Sequence, residues 1–311
     1  MRSDPEVLEE IRGIALRHSR AGVGLHETGV PRLHVYRADE RSVPTPNVYE
    51  PMFCLVVAGR KRGFVGGDAV RYRAGDALLI TVDTPIVAEI AEASAKRPYL
   101  ALAITLHRPT LASVVLDHDG HAPAEERSRE VFRVMRASPE ILDASLRLAR
   151  LLDAPRDAAV LAPLVERELL YRLLCGPAGG VMREMTRSNS RISQVTRAIE
   201  WLRQNFDREF RAEALTEVAG MSTSTLNRHF RAMTGMSPLE FQKQVRLLEA
   251  RRRLLASDAS AAEVGYSVGY SSVPQFTREY RRLFGAPPGR DAEELRGRVA
   301  GAGSAVRGRP T

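Results

Sequence analysis

Residues 228–238 read Arg228-His229-Phe230-Arg231-Ala232-Met233-Thr234-Gly235-Met236-Ser237-Pro238. Residues 278–288 read Arg278-Glu279-Tyr280-Arg281-Arg282-Leu283-Phe284-Gly285-Ala286-Pro287-Pro288. The two stretches align without a gap at an offset of 50, with Arg, an aromatic, Arg, Met or Leu, Gly and Pro recurring in place. Upstream, Gly220-Met221-Ser222 matches Gly269-Tyr270-Ser271 at an offset of 49, so the second copy holds one extra residue at its turn or at the start of its last helix.

Each copy has the form of a helix-turn-helix. In the first, about residues 211–234, Leu215 and Val218 lie on one side of a short helix, and Gly220 suits a turn that needs positive φ. Ser222 can cap the next helix, whose inner face carries Leu226, Phe230 and Met233 at spacings of four and three. In the second, about residues 260–284, Val264 and Val268 precede Gly269, Ser271 or Ser272 can cap, and Phe276, Tyr280 and Leu283 form the inner face. The outer faces are polar. They present Ser222, Thr223, Ser224, Asn227, Arg228 and Arg231 in one copy, and Ser272, Gln275, Arg278, Arg281 and Arg282 in the other. That division suits groove reading: the apolar stripe fixes the helix, while Arg can meet guanine edges, Asn or Gln adenine edges, and Ser or Thr bases or phosphates. The segment between the copies, Leu239–Leu255, is expected as a rigid helix with Val245, Leu248 and Leu255 inward. Arg251, Arg252 and Arg253 on it can meet phosphate. Such a spacer would hold two recognition helices, 222–234 and 271–284, about one DNA turn apart, roughly 34 Å.

Charge agrees with this placement. The 311 residues carry a formal net charge of +8. Residues 191–311 hold 20 basic and 13 acidic side chains, so nearly all of the excess sits in the part that holds the repeat.

The chain before the repeat has another texture. Residues 5–25 read as a helix. Short apolar runs then follow at Leu33–Arg37, Phe53–Val57, Val70–Tyr72, Leu78–Val82, Ile86–Ile90 and Leu100–Leu106. Gly66-Gly67-Asp68 is expected as a hairpin turn and Gly75-Asp76 as another, which together suggest a β-barrel or sandwich. Helical patterns at 109–116, 139–152 and 159–174 come next, the last two suited to an antiparallel pair. Gly176-Pro177-Ala178-Gly179-Gly180 breaks the pattern. The fold class is therefore α+β: an N-terminal domain over 1–183, with a barrel at about 30–108 and helices at 109–175, a linker at 184–190, an all-α domain over 191–291, and a partly disordered tail over 292–311, with a short last helix beyond Arg290 and disorder expected over 300–311.

The residues that carry a family resemblance are now in view. Gly220-Met221-Ser222-Thr223-Ser224-Thr225-Leu226-Asn227-Arg228-His229-Phe230 is similar to the first helix-turn-helix of the AraC/XylS transcription regulators. Val268-Gly269-Tyr270-Ser271-Ser272, with Gln275 through Tyr280 and Phe284-Gly285-Ala286-Pro287-Pro288, is similar to the second. Thr45-Pro46, Tyr49-Glu50-Pro51, Cys54 through Lys61, Tyr72 through Asp76, Leu161 through Leu164 and Glu166–Leu174 resemble the N-terminal domain of one branch of that family. The resemblance implies a cupin-like barrel followed by helices, used for effector sensing, dimerisation or both. It implies base-facing positions at Ser224, Asn227 and Arg228, and at Val273, Pro274, Gln275 and Arg278. Val273 and Pro274 depart from a hydrogen-bonding reader and would meet thymine methyls or hold the backbone. Thr216 and Gly265 each stand where the family commonly has Ala, which would loosen their helices.

The implied partners are double-stranded promoter DNA, a small-molecule effector, RNA polymerase and a second copy of the chain. A cytoplasmic place is expected, because the sequence shows no signal core and no run of about 18 apolar residues. The rival class is an enzyme on the cupin barrel. Metal cupins need clustered His and carboxylate ligands, and the strand-like runs near Gly75–Val82 contain no His. His118 and His121 flank Asp117 and Asp119 in a run better suited to a solvated loop, and no nucleophile elbow, P-loop or dinucleotide fingerprint is present. Neither an enzyme nor a cofactor is expected. Cys54, near Arg60, Lys61 and Arg62, is a candidate sensor thiol, with an inert buried thiol as the alternative. A DNA-binding protein with no effector is the third reading.

Overall fold

The computed structural model describes residues 4–65, 68–118 and 132–304. Helix α1 (Asp4–Arg17) leads into strands β1 (Val23–Glu27), β2 (Leu33–Ala38), β3 (Thr45–Tyr49), β4 (Met52–Ala58), β5 (Arg60–Val65) and β6 (Asp68–Arg73). Strands β7 (Asp76–Ile80), β8 (Thr84–Glu92) and β9 (Tyr99–Thr105) follow, then α2 (Arg108–His118) and β10 (Phe132–Arg136). Two antiparallel sheets result, ordered β1-β2-β9-β4-β7-β10 and β3-β8-β5-β6.

The larger sheet is buried on both faces, which explains why its central strands read as unbroken apolar runs. On β4, Phe53, Leu55 and Val57 join the cluster that includes Ile11 and Ile14 of α1, while Cys54 and Val56 turn toward the other sheet. On β9 the same alternation sends Leu100, Leu102 and Ile104 to the helices, and Tyr99 and Ala101 between the sheets. Among the described residues the two sheets are separate hydrogen-bonded layers, so the expected barrel is open. Val65 pairs with Asp68 as the hairpin reading requires. Gly66 and Gly67 lie outside the described residues. Gly75 turns with φ +85.

Helices α3 (Pro139–Arg150) and α4 (Pro155–Cys175) pack against each other as expected. The buried carboxylate of Glu166 on α4 accepts from Arg32 Nε at 3.1 Å and Nη2 at 2.5 Å, fastening the helices to the end of the larger sheet. Then come α5 (Gly179–Thr186), α6 (Arg191–Gln204), α7 (Ala212–Ala219), α8 (Thr223–Thr234), α9 (Pro238–Ala256), α10 (Ala261–Ser267), α11 (Val273–Phe284) and α12 (Pro288–Ser304).

Several boundaries differ from the sequence reading. The helix expected over 5–25 stops at Arg17, because the amide of Gly22 (φ +117) is held by the Asp39 carboxylate and β1 starts at Val23. Strands β1, β3, β5 and β10 were not expected. β1 alternates exposed and half-buried positions, and the first four residues of β5 are three basic residues and a glycine, so neither reads as an apolar run. Residues expected as a linker, 184–190, are the end of α5 and the turn into α6. There Met185 is buried, and Ser190 caps α6 through the Ser193 amide. Helix α12 spans Pro288–Ser304, starting before and running further than the short last helix expected beyond Arg290.

Two apolar cores divide the repeat. The first runs without a break from α1 and the larger sheet through Val181, Met182 and Met185 of α5 and Ile199 and Leu202 of α6, to Leu226, Phe230 and Phe241. The second gathers Leu247, Ala250, Leu254, Val264, Val268, Phe276, Tyr280 and Ala292. Helix α9 contributes to both. Its inward residues are Phe241, Leu247, Ala250 and Leu254, whereas Leu255, expected inside, is 39% exposed.

Candidate nucleic-acid interface

Both copies of the repeat fold as helix-turn-helix units. Helix α7 ends at Gly220, with φ 64 and ψ 39. Ser222 then starts α8 with its side chain accepting from the Thr225 amide at 3.4 Å. Helix α11 begins at Ser272, whose side chain accepts from the Gln275 amide at 3.5 Å, and Pro274 sits in its first turn, where a missing N–H costs nothing. Leu226, Phe230 and Met233 are buried on α8, and Phe276 and Tyr280 on α11, so the opposite faces point away from the cores.

Thr223, Ser224, Asn227, Arg228 and Arg231 are exposed along α8. Asn227 Nδ2 donates to its own helix at Thr223 O, 3.0 Å away, and Arg231 reaches Glu240 at 3.4 Å. On α11, Pro274, Arg278, Arg281 and Arg282 are exposed and Val273 is half-buried. With Val273, Thr277 and Pro287 they line a shallow cleft of about 700 Å³. Thr277 was missed in the sequence reading; it sits one turn beyond Val273 on the same face.

Gln275 is not a free reader. It is half-buried and its Nε2 donates to Glu279 Oε1 at 3.2 Å, while Glu279 also accepts from Tyr270 Oη at 2.8 Å and Lys243 Nζ at 3.3 Å. Ser222 and Ser272 likewise use their hydroxyls as caps. The three arginines of α9 expected at phosphates are also engaged. Arg251 pairs with the buried Asp291 carboxylate at 2.8 and 3.0 Å, and Arg252 and Arg253 pair with Glu249 at 2.7 and 2.8 Å.

Other cations serve as clamps on backbone carbonyls. Arg197 of α6 donates to Val218 O and Ala219 O, both at 3.1 Å, at the negative end of α7. Arg246 of α9 donates to Phe206 O at 2.5 Å, Arg208 O at 2.6 Å and Gly269 O at 2.9 Å, joining the loop before α7 to the turn of the second unit. Among the described residues, Arg228, Arg278, Arg281 and Arg282 make no side-chain hydrogen bond or ion pair, and all four stand on the outer faces of α8 and α11.

Two family descriptions match this chain. The AraC-type transcriptional regulator N-terminus matches residues 29–181, and a helix-turn-helix domain matches residues 215–293. The chain belongs to the AraC family of transcriptional regulators. Within that family it is similar to the HTH-type transcriptional activator RhaS of Salmonella schwarzengrund (strain CVM19633), 27% identical over 183 residues. That match takes in 57% of this chain and 62% of the relative, so it spans less than two thirds of the relative's length. RhaS of Salmonella agona (strain SL483) matches to the same extent. In fold the chain is similar to ToxT from Vibrio cholerae strain SCE256 with an unsaturated fatty acid bound. That likeness has a TM-score of 0.54 at 9% identity, covering 82% of this chain and 92% of the other. An apo ToxT variant from the same strain gives a TM-score of 0.55 at 8% identity, covering 84% and 97%. The named relatives are transcriptional regulators rather than enzymes.

The N-terminal candidate of this AraC-family chain is corrected by the structure. Cys54 lies between the sheets, and burial pushes its thiol up to about 11, away from the thiolate that a sensor needs. Of its expected basic neighbours, Arg60 and Arg62 turn outward to Glu92 and Glu89, and only Lys61 turns in. In the run weighed as a metal loop, Asp117 pairs with Arg167 and His118 Nδ1 lies 3.0 Å from Val114 O. Asp119 and His121 lie outside the described residues. No helix is long and apolar enough to cross a membrane, among the described residues.

Proposed function

We propose that this protein is a sequence-specific transcription regulator that reads two adjacent major grooves of promoter DNA with α8 and α11, under the control of a small-molecule effector in its N-terminal part. The observation that carries the reading is the sorting of arginines. Arg197 of α6, Arg246 and Arg251 of α9 and Arg296 of α12 hold carbonyls or carboxylates of the fold. On the outer faces of α8 and α11, Arg231 alone reaches a carboxylate, at Glu240, whereas Arg228, Arg278, Arg281 and Arg282 have no hydrogen-bond or ion-pair partner among the described residues.

In this reading Ser224, Asn227 and Arg228 face bases from α8. Arg278, Arg281 and Arg282 meet guanine edges or phosphates from α11, beside the apolar Val273 and Pro274. Helix α9 spaces the two readers. The relatives named activators make contact with RNA polymerase the expected output. Val160, Leu161 and Leu164, exposed together on α4, offer an apolar face to a second copy of the chain.

The test selects sites for the full chain from random duplexes and repeats the titration at two salt concentrations. Two enriched boxes about one turn apart, roughly 10 base pairs, are expected. Binding that is steeply salt-dependent with no enriched motif would overturn the reading, since phosphate attraction alone behaves in that way.

A further inference from the structure

The smaller sheet carries its positive charge on one face. Strand β5 alternates, with Lys61 turned toward the larger sheet and Arg60 and Arg62 turned away. Strand β6, at the edge of the sheet, does the same: Tyr72 is buried between the sheets, while Arg71 and Arg73 are exposed on the other face. The register sets Arg60 opposite Arg73 and Arg62 opposite Arg71. The four guanidinium groups thus stand as two directly opposed like-charge pairs, an arrangement that costs a sheet stability.

Carboxylates offset only half of this charge. Arg60 pairs with Glu92 at 3.4 Å and Arg62 with Glu89 at 2.5 Å, both from β8. Among the described residues, the side chains of Arg71 and Arg73 have no hydrogen bond or ion pair. The surface they share is concave. A cleft of about 240 Å³ is lined by Arg60, Arg71 and Arg73, and a second of about 350 Å³ by Arg60, Arg73, Glu92 and Arg136. Shared walls at Arg60 and Arg73 join the two into one groove.

The register also connects this face to the helix-turn-helix part. Arg62 lies opposite Glu89, and Val87 is two residues from Glu89 on the same side of β8. Val87 in turn lies opposite Pro46 of β3. Pro46 is buried, and β3 runs beside α9 and α11. The arginines and Pro46 therefore occupy one face of one sheet. Three strand spacings, about 14 Å, separate β6 from β3, which is less than half a turn of duplex.

We propose that this face is a second DNA contact, in which Arg71 and Arg73, flanked by Arg60 and Arg62, hold phosphates of the duplex next to the box read by α11. A DNA backbone offers a row of single negative charges, and a guanidinium group can give a phosphate two N–H donors at once. Contacts of this kind add affinity without sequence preference. The inference rests on the DNA-reading role of α11 given above and extends the footprint of that reader.

The test uses the full chain and the site selected for it, in duplexes of equal length with about ten base pairs of arbitrary sequence at one end or at the other. The parent is expected to bind one arrangement about five-fold or more tightly at low salt, with a log–log salt slope steeper by about two. The preferred flank should adjoin the box whose preference Arg278→Ala relaxes. Arg71→Gln with Arg73→Gln should erase both the preference and the extra slope, and should keep the parent's affinity for a duplex with no flank. This double variant should fold at least as well as the parent, because it removes opposed like charges from the sheet.

Equal binding of the two arrangements by the parent, a preference for the flank at the other box, or a preference that survives the double substitution would each overturn the second contact. The parent's comparison needs no variant, so the test stands even where a variant misfolds. Unchanged DNA binding by the double variant with a loss of transcription in a reconstituted assay would also overturn it, and would assign the face to an acidic protein surface. The duplex with no flank separates the two claims. Specific binding there without a flank preference removes the second contact alone, whereas no specific binding removes the reading of α11 along with it.

Discussion

Gly220 and Gly269 occupy corresponding turns of the two units, and replacing each with alanine should give very different losses. Both have positive φ, +64 and +89, which costs an L-residue about 1 kcal/mol. At Gly220 that is the whole penalty, because a Cβ there would lie 3.8 Å from the ends of the Arg197 and Gln194 side chains. At Gly269 a Cβ would lie 2.2 Å from the Asp207 carbonyl oxygen and 2.7 Å from its carbon, both backbone atoms. The loop before α7 would have to withdraw by more than an ångström. Arg246 binds that loop at Phe206 O and Arg208 O and the turn at Gly269 O, so withdrawal breaks the clamp as well. Losing charge-assisted bonds of this kind adds about 1.5–3 kcal/mol, for a total of roughly 3–4 kcal/mol. Urea denaturation of the full chain followed by circular dichroism, with DNA affinity measured alongside, reads both effects. Gly220→Ala should lose about 1 kcal/mol and keep DNA binding. Gly269→Ala should lose about three times as much and weaken DNA binding, because α11 is displaced. Equal losses from the two substitutions would refute the close approach on which the argument rests.

Gly265→Ala should lower the melting temperature rather than raise it. Its Cβ would come within 2.9 Å of the buried Phe276 ring, and that overpacking outweighs the gain of about 1 kcal/mol in helix propensity. Arg203→Ala should cost about 2 kcal/mol at neutral pH by stranding the Asp83 carboxylate. That carboxylate is 6% exposed, while its partner, at 2.5 Å, is 40% exposed. Burial raises the Asp83 pKa against the pull of Arg203. Without the arginine the folded-state pKa rises further above the unfolded value, so the defect should shrink as pH falls through it, a trend that denaturation at neutral and mildly acidic pH would check. Arg228→Ala should weaken binding to the selected site by about 1–3 kcal/mol and relax one base position, whereas a uniform loss on every sequence would make it a phosphate contact. Leu161→Glu with Leu164→Glu should leave the fold intact and reduce any self-association seen by sedimentation, since both side chains are exposed on α4.

The repeat was legible because its signals are local. A glycine at each turn, a serine before each second helix and aromatics at spacings of three and four depend on neighbours along the chain. The readers were less legible. Exposure of Arg228, Arg278, Arg281 and Arg282 follows from helical periodicity. Gln275 is held by Glu279, itself fixed by Tyr270 and Lys243, and that network appears only when α9 and α11 are packed. The same holds for Arg251, which looks like a phosphate ligand until α12 brings Asp291 beside it. In the N-terminal half, strands buried on both faces were found from their apolar runs. The outer face of β5 is basic, and that masked a strand whose inward residue, Lys61, is the least expected side chain in the sheet. The resemblance implied that a glycine at 265 would loosen its helix; in the structure the Phe276 ring packs so close that a Cβ there would lie 2.9 Å from it.

The two units are therefore alike in sequence but not in their attachment. The first shares its core with the N-terminal sheet through α5 and α6, so α8 is continuous in packing with the larger sheet. The second has its own core, reaches the first through α9, and meets the N-terminal part where β3 runs beside α9 and α11. Helix α9 has 19 residues and is about 28 Å long, close to the roughly 34 Å of one DNA turn. Its capping box at Ser237 and Glu240 fixes one end, and Arg296 bonded to Leu254 O and Ser257 O fixes the other. In the proposed reading, a strut held at both ends sets the distance between α8 and α11. The second unit also meets the N-terminal part at β3, and Arg203 of α6 ties the first to Asp83 and Glu50. Tyr49, the last residue of β3, accepts from the buried Lys61, so the strand beside the second unit is also tied into the interior between the sheets.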